Sequence, residues 1–427
     1  MDKKIWVYAD WKGLGDDPVF MGTLLAVQNR GKEIFSFTYE PNWLKRKECM
    51  VLDPGLGLFQ GPQYPEAGKP NFGLFLDSSP DRWGRVLMDR REAALAAKEG
   101  RQRLKLLESG YLLGVHDGQR LGGLRFRTDP DGPFLDNQSG QAAPPSTSLR
   151  ELQEASWQIQ DLDSTVMESA SWLNLLVAPG SSLGGARPKA GVKYPDGSLW
   201  IAKFPGRADN RDMGAWEWVT WKLGKMAGLE LPDAELLRVG TGHHTFMVKR
   251  FDRVPGKKDL QRIHFASAMT LLGHFDGDNH QAGASYLELC DWITNHSAYP
   301  RDDLEEMWRR IIFSMAVSNT DDHLRNHGFL LTPKGWKLSP AYDINPEPHG
   351  SQTGLSLNIN EVDNRLDLGL AMEVAEYFRV KRARAEVIIQ KVRSAVSNWK
   401  TVAKEAGIGR GEIEMMEPAF RLQEVRG

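Results

Sequence analysis

The stretch from Val317 to Leu331, V-S-N-T-D-D-H-L-R-N-H-G-F-L-L, is the feature that most constrains how this chain can fold. It places two Asp, two His and two Asn between apolar runs. Such groups are costly to bury unless they are paired. The fold must therefore let these side chains hold a substrate, a metal or each other.

The residues that follow this stretch predict a hairpin. The run G-F-L-L leads through T-P-K-G into W-K-L-S and then A-Y-D-I-N, and two β-like runs joined by a tight turn pair with each other. The hairpin can then bring Asp343, which follows it, close to Asp321 and Asn326, which precede it. Phosphoryl transfer needs such a set: one carboxylate orients the substrate hydroxyl, and a carboxylate and an amide oxygen hold Mg²⁺ against the phosphates. The order D-x-x-x-x-N, hairpin, D is that of the catalytic and metal-binding loops of protein kinases.

Two other interpretations of the same residues stay open. Asp, Asn and Gly also cap helices and turn loops. His323, His327 and Asp321 could instead form a metallohydrolase site, although the chain has no H-E-x-x-H motif and such enzymes usually need more ligands than this loop offers.

A Gly-rich segment upstream predicts a phosphate-binding loop. Pro179 to Ala190 reads P-G-S-S-L-G-G-A-R-P-K-A, and the backbone N–H groups around Gly184 and Gly185 could cradle phosphates. The segment lacks the G-K-[ST] of a P-loop NTPase. A purely structural loop is the alternative.

Lys203 and Glu217 form the second part of the predicted nucleotide site. Lys203 lies in the β-like run L-W-I-A-K-F-P, where its ammonium needs an anion. A phosphate of ATP would supply one, together with the carboxylate of Glu217 in the helix that follows. An edge-strand lysine that reaches water is the alternative.

The third part is F-M-V-K-R-F-D-R, Phe246 to Arg253, between a mixed β/α section and an all-helical one. A two-lobed enzyme has its hinge at such a place, so its backbone groups could bind adenine and Asp252 could reach the ribose. A solvated strand end is the alternative. These features follow one another in the order of an ATP-dependent kinase: Gly-rich loop, lysine, glutamate, hinge, D-x-x-x-x-N, hairpin and Asp.

The pattern of elements predicts the domain organisation. β-like runs at residues 5–8, 23–27 and 34–39 precede a helical stretch from Asp81 to Leu107. The polar segment 137–148, with Gly and two Pro, cannot bury a core. We therefore expect one domain at residues 1–142 and a second at 143–427, with a nucleotide-binding part at 143–255 and a helical part at 256–427. Residues 192–204 predict a hairpin, and 212–227 a helix between Asp212 and Gly228.

Composition excludes several classes of protein. A length of 427 residues favours two or three domains, and the net charge of -2 indicates no global surface for polyanions. Cys49 and Cys290 belong to no C-x-x-C or Cys/His spacing, which argues against a disulfide framework or a structural zinc site. No apolar run approaches the roughly 18 residues of a membrane helix, and the start has no apolar h-region. A cytoplasmic protein is expected.

Several motifs together resemble the HipA family of bacterial serine/threonine kinases, the toxin half of HipA/HipB toxin-antitoxin pairs. They are S-S-L-G-G-A-R-P-K-A, I-A-K-F-P, L-P-D-A-E-L, V-K-R-F-D-R, N-T-D-D-H-L-R-N-H and P-A-Y-D-I-N-P, with S-P-D-R-W-G-R at Ser79 to Arg85. The resemblance spans most of the chain. It implies an α+β, bilobal protein-kinase-like fold, with an N-terminal β-containing subdomain and a mostly helical C-terminal lobe.

The resemblance also implies roles for individual residues. Asp321 matches the catalytic Asp, Asn326 and Asp343 match the Mg²⁺ ligands, and the residues matching ATP-binding positions are Lys203, Lys249, Phe251, Asp252 and His323. Lys249 replaces an acidic residue of some members, but only its carbonyl would meet adenine. Family members autophosphorylate a serine near the Gly-rich loop, which here means Ser181 or Ser182. Its dianion would repel ATP phosphates, keeping the loop open and the kinase off.

The resemblance finally implies partners. We expect a HipB-like helix-turn-helix antitoxin, DNA contact only through that antitoxin, and a protein substrate; known substrates in the family include aminoacyl-tRNA synthetases. The cationic segment 380–404 could lie near that DNA, or be a solvated helix face. Two alternative functions remain: a small-molecule kinase of the aminoglycoside phosphotransferase type, and a catalytically idle co-repressor that binds a DNA-binding antitoxin.

Overall fold

The structure is a computed structural model that describes residues 2–137, 143–160, 176, 185, 187–240, 242–256, 260–349 and 354–420. Ser181, Ser182, Gly184 and segment 138–142, which contains the predicted domain boundary, lie outside these ranges. That boundary and the predicted subdivision of residues 143–427 stay predictions.

The helices of the described chain are numbered here in chain order. They are α1 (Pro41–Leu44), α2 (Gly73–Leu76), α3 (Arg82–Glu99), α4 (Glu108–Gly114), α5 (Leu149–Gln160), α6 (Met213–Ala227), α7 (Ala268–Leu271), α8 (Tyr286–His296), α9 (Pro300–Ala316), α10 (Leu368–Val374), α11 (Arg382–Val396), α12 (Trp399–Glu405) and α13 (Arg410–Met416).

The strands are numbered in the same way. They are β1 (Lys3–Ala9), β2 (Val19–Asn29), β3 (Lys32–Tyr39), β4 (Leu124–Arg127), β5 (Lys189–Lys193), β6 (Leu199–Lys203), β7 (Ala234–Leu237), β8 (Thr245–Lys249), β9 (Arg253–Pro255), β10 (Leu260–Arg262), β11 (His264–Ser267), β12 (Gly328–Thr332) and β13 (Gly335–Leu338).

The chain divides into two compact units. Unit 1 comprises Met1–Ala208 and Asp252–Ala266, and unit 2 comprises Asp209–Phe251 and Ser267–Gly427.

Unit 1 contains an antiparallel sheet in the order β3-β2-β1-β4. Along β1, Ile5, Val7 and Ala9 are fully buried while their neighbours are partly exposed or exposed. This period of two is the alternation of a strand with one face on the core. It explains why the β-like runs were visible in the sequence.

The predicted helix from Asp81 to Leu107 is wrong at its C-terminal end. α3 stops at Glu99 because Gly100 adopts a left-handed conformation with φ of 63°, which a glycine adopts without strain. The chain then continues without regular structure before α4. At the other end Asp81 caps the helix by accepting from the N–H of Gly84.

The motif S-P-D-R-W-G-R attaches α3 to the first residue of the hairpin β5–β6. Nζ of Lys189 lies 3.2 Å from Oδ2 of Asp81, with both side chains almost fully buried, and Nε1 of Trp83 donates to the carbonyl of Lys189. The hairpin itself is confirmed, with Lys189 opposite Lys203 and Gly197 at φ 84° in the turn. A buried ion pair thus lies at the base of the predicted nucleotide-binding hairpin.

Unit 2 is mostly helical. α6 confirms the prediction from its ends, because Asp212 accepts from the N–H of Ala215 and Gly228 takes φ of 86° after the last residue. α11 packs against α6 and α9. The predicted hairpin after the polar stretch is also confirmed as β12–β13, with Phe329 opposite Leu338.

Candidate active site

The polar stretch forms a loop between buried α9 and β12. α9 ends at Ala316, and the turn after it contains Ser318 at φ 51° and Asn319, whose N–H donates to the carbonyl of Ser314. A single 3-10 turn, Leu324–Asn326, leads into β12. Residues 320–327, here called the catalytic loop after their predicted role, are thus held at both ends by elements with buried side chains.

Asp321 and Asn326 contact each other within this loop. Nδ2 of Asn326 donates to the carbonyl of Asp321 at 2.8 Å, so the amide oxygen of Asn326 points away from that carbonyl. The side chain of Asp321 is 83% exposed, and Nε2 of His323 lies 3.9 Å from its Oδ1. The loop therefore presents the carboxylate of Asp321 to solvent and holds the amide of Asn326 against the backbone of the same loop.

Asp343 follows the hairpin and lies close to the catalytic loop. Partial burial and the carboxylates of Asp343 and Asp322 raise the pKa of Asp321, while His323 opposes them. Asp343 adopts φ of 57°, a conformation that costs a non-glycine residue about 1–3 kcal/mol and often occurs at functional sites. The turn after Asp343 is hydrogen-bonded to the residue that precedes the loop, because the N–H of Asn345 donates to Oδ1 of Asn319.

Asp322 has the opposite environment to its neighbour, and sequence reasoning assigned it no function. It is buried, and its Oδ2 accepts hydrogen bonds from Tyr286 at 2.5 Å and from Ser314 at 3.1 Å, while Nε2 of His327 lies 3.0 Å from its Oδ1. Burial alone would raise the pKa of Asp322, but His327 and these hydrogen bonds lower it. Asp322 therefore anchors the loop from inside as an ionised carboxylate.

The two adjacent aspartates were the sequence feature that could have indicated one buried and one exposed carboxylate. Successive residues of an extended segment point to opposite sides, so one carboxylate of a doublet can face the interior while the other faces solvent. Nothing in the local sequence says which one does.

α6 brings Glu217 towards the segment that carries Asp343. The side chain of Glu217 is 8% exposed, and one turn later the hydroxyl of Thr220 donates to the carbonyl of Ile344 at 2.6 Å. Because residues three apart lie on one helix face, the face of α6 that carries Glu217 meets the chain next to Asp343.

Of the two predicted hinge residues in unit 2, Phe251 lies near the same loop and Lys249 contacts Asp233. The ring of Phe251 lies 5.7 Å from that of Tyr342, whose hydroxyl donates to the carbonyl of Arg325. The backbone N–H of Lys249 donates to the carbonyl of Asp233, and its Nζ lies 3.5 Å from the carboxylate of Asp233. Phe251 is thus linked through Tyr342 to the catalytic loop.

The remaining predicted residues belong to unit 1. Lys203 is the half-buried last residue of β6, and Gly185 takes φ of 93°, which favours glycine. The carboxylate of Asp252 is 1% exposed and accepts from the N–H of Gly122 and from Arg253. Its predicted ribose contact stays a prediction.

The metallohydrolase interpretation requires His327 to lie beside His323 and Asp321. Among the residues that the structure describes, no three His, Cys, Asp or Glu side chains lie together in a way that could hold a metal ion. His327 faces Asp322 in the interior, away from the exposed carboxylate of Asp321.

Within the described ranges of the chain, no helix has the length and apolar character needed to cross a bilayer.

Several cations of the segment 380–404 are neutralised by carboxylates. Arg384 pairs with Glu305 at 2.6 Å, Arg382 with Glu386 at 3.2 Å and Lys400 with Glu417 at 2.7 Å. Paired cations attract phosphates less strongly, so these contacts favour a solvated helix face.

Comparisons with known proteins found a family model and several relatives. The family model described as the HipA-like C-terminal domain matches residues 181–399 of the 427. An inferred kinase of Haemophilus influenzae is 29% identical over 157 residues, which cover 34% of this chain and 44% of the relative. The serine/threonine-protein kinase toxin HipA of Shewanella oneidensis is 22% identical over 222 residues, which cover 47% of this chain and 50% of the relative. The chain spans about half the length of the curated relatives it matches.

The fold also has a solved counterpart. A chain from the complex of HipA, HipB and operator DNA of the Shewanella oneidensis MR-1 toxin-antitoxin system superposes with a TM-score of 0.65 and 17% identity, covering 97% of this chain and 94% of that one. This likeness confirms the predicted α+β, protein-kinase-like fold.

Proposed function

Because the chain belongs to the family of HipA-like C-terminal domains, we propose that it is an ATP- and Mg²⁺-dependent serine/threonine protein kinase. The observation that carries the proposal is the arrangement around the catalytic loop. Asn326 is hydrogen-bonded to the backbone of Asp321, and the turn after Asp343 is hydrogen-bonded to the residue that precedes the loop, because the N–H of Asn345 donates to Oδ1 of Asn319. Carboxylate and amide oxygens at one point are what phosphoryl transfer requires.

In this proposal Asp321 is the catalytic residue. Its exposed carboxylate orients the hydroxyl of a serine or threonine and accepts its proton, while the hydroxyl oxygen bonds to the γ-phosphorus of ATP and the bond to the bridging oxygen breaks, releasing ADP. The buried anchor at Asp322 keeps the backbone of the loop in place during this step.

The oxygen donors present suit Mg²⁺, which prefers carboxylate and carbonyl oxygens. We assign Asn326 and Asp343 to hold it, and when bound it would neutralise charge on the ATP phosphates. Lys203 and Gly185 are assigned to the phosphates. Gly184 is assigned to the phosphates as well. We assign the remaining predicted residues to the nucleotide site: Glu217, Lys249, Phe251, Asp252 and His323.

Regulation and partners complete the proposal. Autophosphorylation of Ser181 or Ser182 would place a dianion beside the Gly-rich loop and switch the kinase off. The curated relative named as a serine/threonine-protein kinase toxin and the solved complex with HipB and operator DNA support a toxin role, with a HipB-like helix-turn-helix antitoxin as partner and DNA bound only through it. A protein substrate such as an aminoacyl-tRNA synthetase belongs to the same proposal.

Incubation of the full chain with Mg²⁺ and ATP, followed by intact mass and peptide mapping, tests this function. The wild type should gain phosphate at Ser181 or Ser182, and Asp321→Asn should gain none. Asp322→Asn is not a suitable control because it disturbs the buried anchor. Protein that is isolated unphosphorylated, binds no ATP and gains no phosphate would refute the kinase assignment.

A further inference from the structure

The last described residues of unit 2 contact two parts of the candidate active site. They are α13, the 3-10 turn Glu417–Ala419 and Phe420, and are called here the C-terminal brace (Arg410–Phe420). The family match ends at residue 399, so the brace lies beyond the matched region. No motif in the sequence singles it out.

The first contact is with the beginning of α6. Oε1 of Glu412 accepts from the backbone N–H of Asp212 at 2.8 Å and from Nε1 of Trp216 at 2.6 Å. Asp212 is the cap of α6, and Trp216 directly precedes Glu217. One carboxylate oxygen therefore holds both the start of the helix and its first turn.

The second contact is with the turn before the catalytic loop. The carbonyl of Ala419, which is fully buried, accepts a hydrogen bond from the hydroxyl of Ser318 at 2.9 Å. Ser318 has the left-handed φ of 51° and also accepts at its carbonyl from the N–H of Glu347. The turn that leads to Asp321 thus depends on a partner a hundred residues later in the chain.

Arg211 and an aromatic cluster join these two contacts. The guanidinium of Arg211 lies 3.0 Å from the carboxylate of Glu347 and 3.5 Å from the sulfur of Met416. The rings of Trp399 and Phe420 stack at 4.5 Å, and that of Phe420 lies 5.8 Å from Trp216. The brace is therefore packed as well as hydrogen-bonded against the start of α6.

We propose that the C-terminal brace is a positioning element of the kinase, with Glu412 as its principal residue. It holds α6, and with it Glu217, in a fixed place relative to Asp321 and Asp343. Glu412 touches no reacting group and acts through α6. The catalytic consequence rests on the proposed kinase function, whereas the positioning itself does not.

Hydrogen exchange of the full chain tests the positioning without any activity. In Glu412→Ala the amides at the start of α6 should exchange faster, since this segment loses the acceptor of the Asp212 N–H and of Trp216 Nε1. Glu412→Gln keeps an oxygen acceptor and should exchange like the wild type. Glu414→Ala is the matched control, because Glu414 lies on the same helix and pairs only with exposed Arg410 among the contacts described. Faster exchange confined to α13, or equal exchange in Glu412→Ala and Glu414→Ala, would overturn the proposal.

Kinetics then test whether Glu412 acts through α6. Misplacement of a catalytic group by about 1 Å can cost on the order of 100-fold, so Glu412→Ala should lower kcat at least 10-fold, with Glu412→Gln restoring most of it. The double variant Glu412→Ala/Glu217→Gln should have the same kcat as Glu217→Gln alone, because both substitutions act on the position or chemistry of the Glu217 side chain. Multiplying effects would mean that Glu412 acts independently of α6 and would refute that route. A wild type without kinase activity would refute the proposed function, and the exchange data would still decide the brace.

Discussion

Removal of one hydroxyl, by Tyr286→Phe, tests whether the buried carboxylate of Asp322 anchors the catalytic loop. The hydroxyl of Tyr286 donates to Oδ2 of Asp322 at 2.5 Å, and the tyrosine side chain is fully buried. Burial and the neighbouring carboxylate raise the pKa of Tyr286 well above its usual value, so the phenol is a donor at every ordinary pH. Phenylalanine keeps the ring and loses only this bond.

The expected loss of stability in Tyr286→Phe follows from the charge of the hydrogen-bond acceptor, Asp322. A hydrogen bond to a charged group contributes about 1.5–3 kcal/mol to stability, roughly twice a neutral one. Ser314 and His327 remain near the carboxylate, so Asp322 stays ionised and the loss is limited to that range. We expect the free energy of unfolding of Tyr286→Phe to be about 1.5–3 kcal/mol lower at pH 7.

The pH dependence provides an independent check. The pKa of Asp322 is lowered in the folded chain, so its contribution is present above its unfolded pKa of about 3.9 and is lost as the pH falls through the lower folded value. The difference between wild type and Tyr286→Phe should therefore be full at pH 7 and become smaller below about pH 4.

Urea unfolding, combined with hydrogen exchange of residues 320–327, measures the effect in the chain and in the loop itself. Tyr377→Phe is the matched control, because Tyr377 is 61% exposed and should change stability by less than about 0.5 kcal/mol. If Tyr286→Phe and Tyr377→Phe are equally stable and their loop amides exchange alike, Asp322 does not anchor the loop.

Three further predictions concern other parts of the chain. Lys189→Met should cost about 3–5 kcal/mol because it removes the cation of a buried ion pair, whereas Lys193→Met, at the exposed end of the same strand, should change urea stability by less than about 0.5 kcal/mol; equal effects would refute the role of the pair. Asp343→Asn should raise the Mg²⁺ concentration needed for half-maximal autophosphorylation, and an unchanged requirement in a magnesium titration would remove Asp343 from the metal site. Gly228→Ala should cost about 1–2 kcal/mol, measured by urea unfolding, because an alanine is strained in a left-handed conformation; a wild-type midpoint would show that the helix end relaxes.

Elements whose causes are local could be predicted from the sequence. Asp212 and Gly228 bound α6 as expected, because a cap and a left-handed glycine act within one turn. The hairpin after the catalytic loop was equally visible from its turn and β-like runs. The helix after Asp81 was predicted too long, since its end depends on the single conformation of Gly100.

The sequence by itself thus determined the α+β class, the capped helix, the hairpins and the candidate set Asp321, Asn326 and Asp343. Only the tertiary structure decided which carboxylate of the doublet is buried, and that Glu412 contacts Trp216, 196 positions away in the chain. The physical reason is the distance along the chain over which each interaction acts. Caps, turns and periodicity are set by neighbours within a few residues, whereas burial and long-range hydrogen bonds exist only after distant segments have packed together.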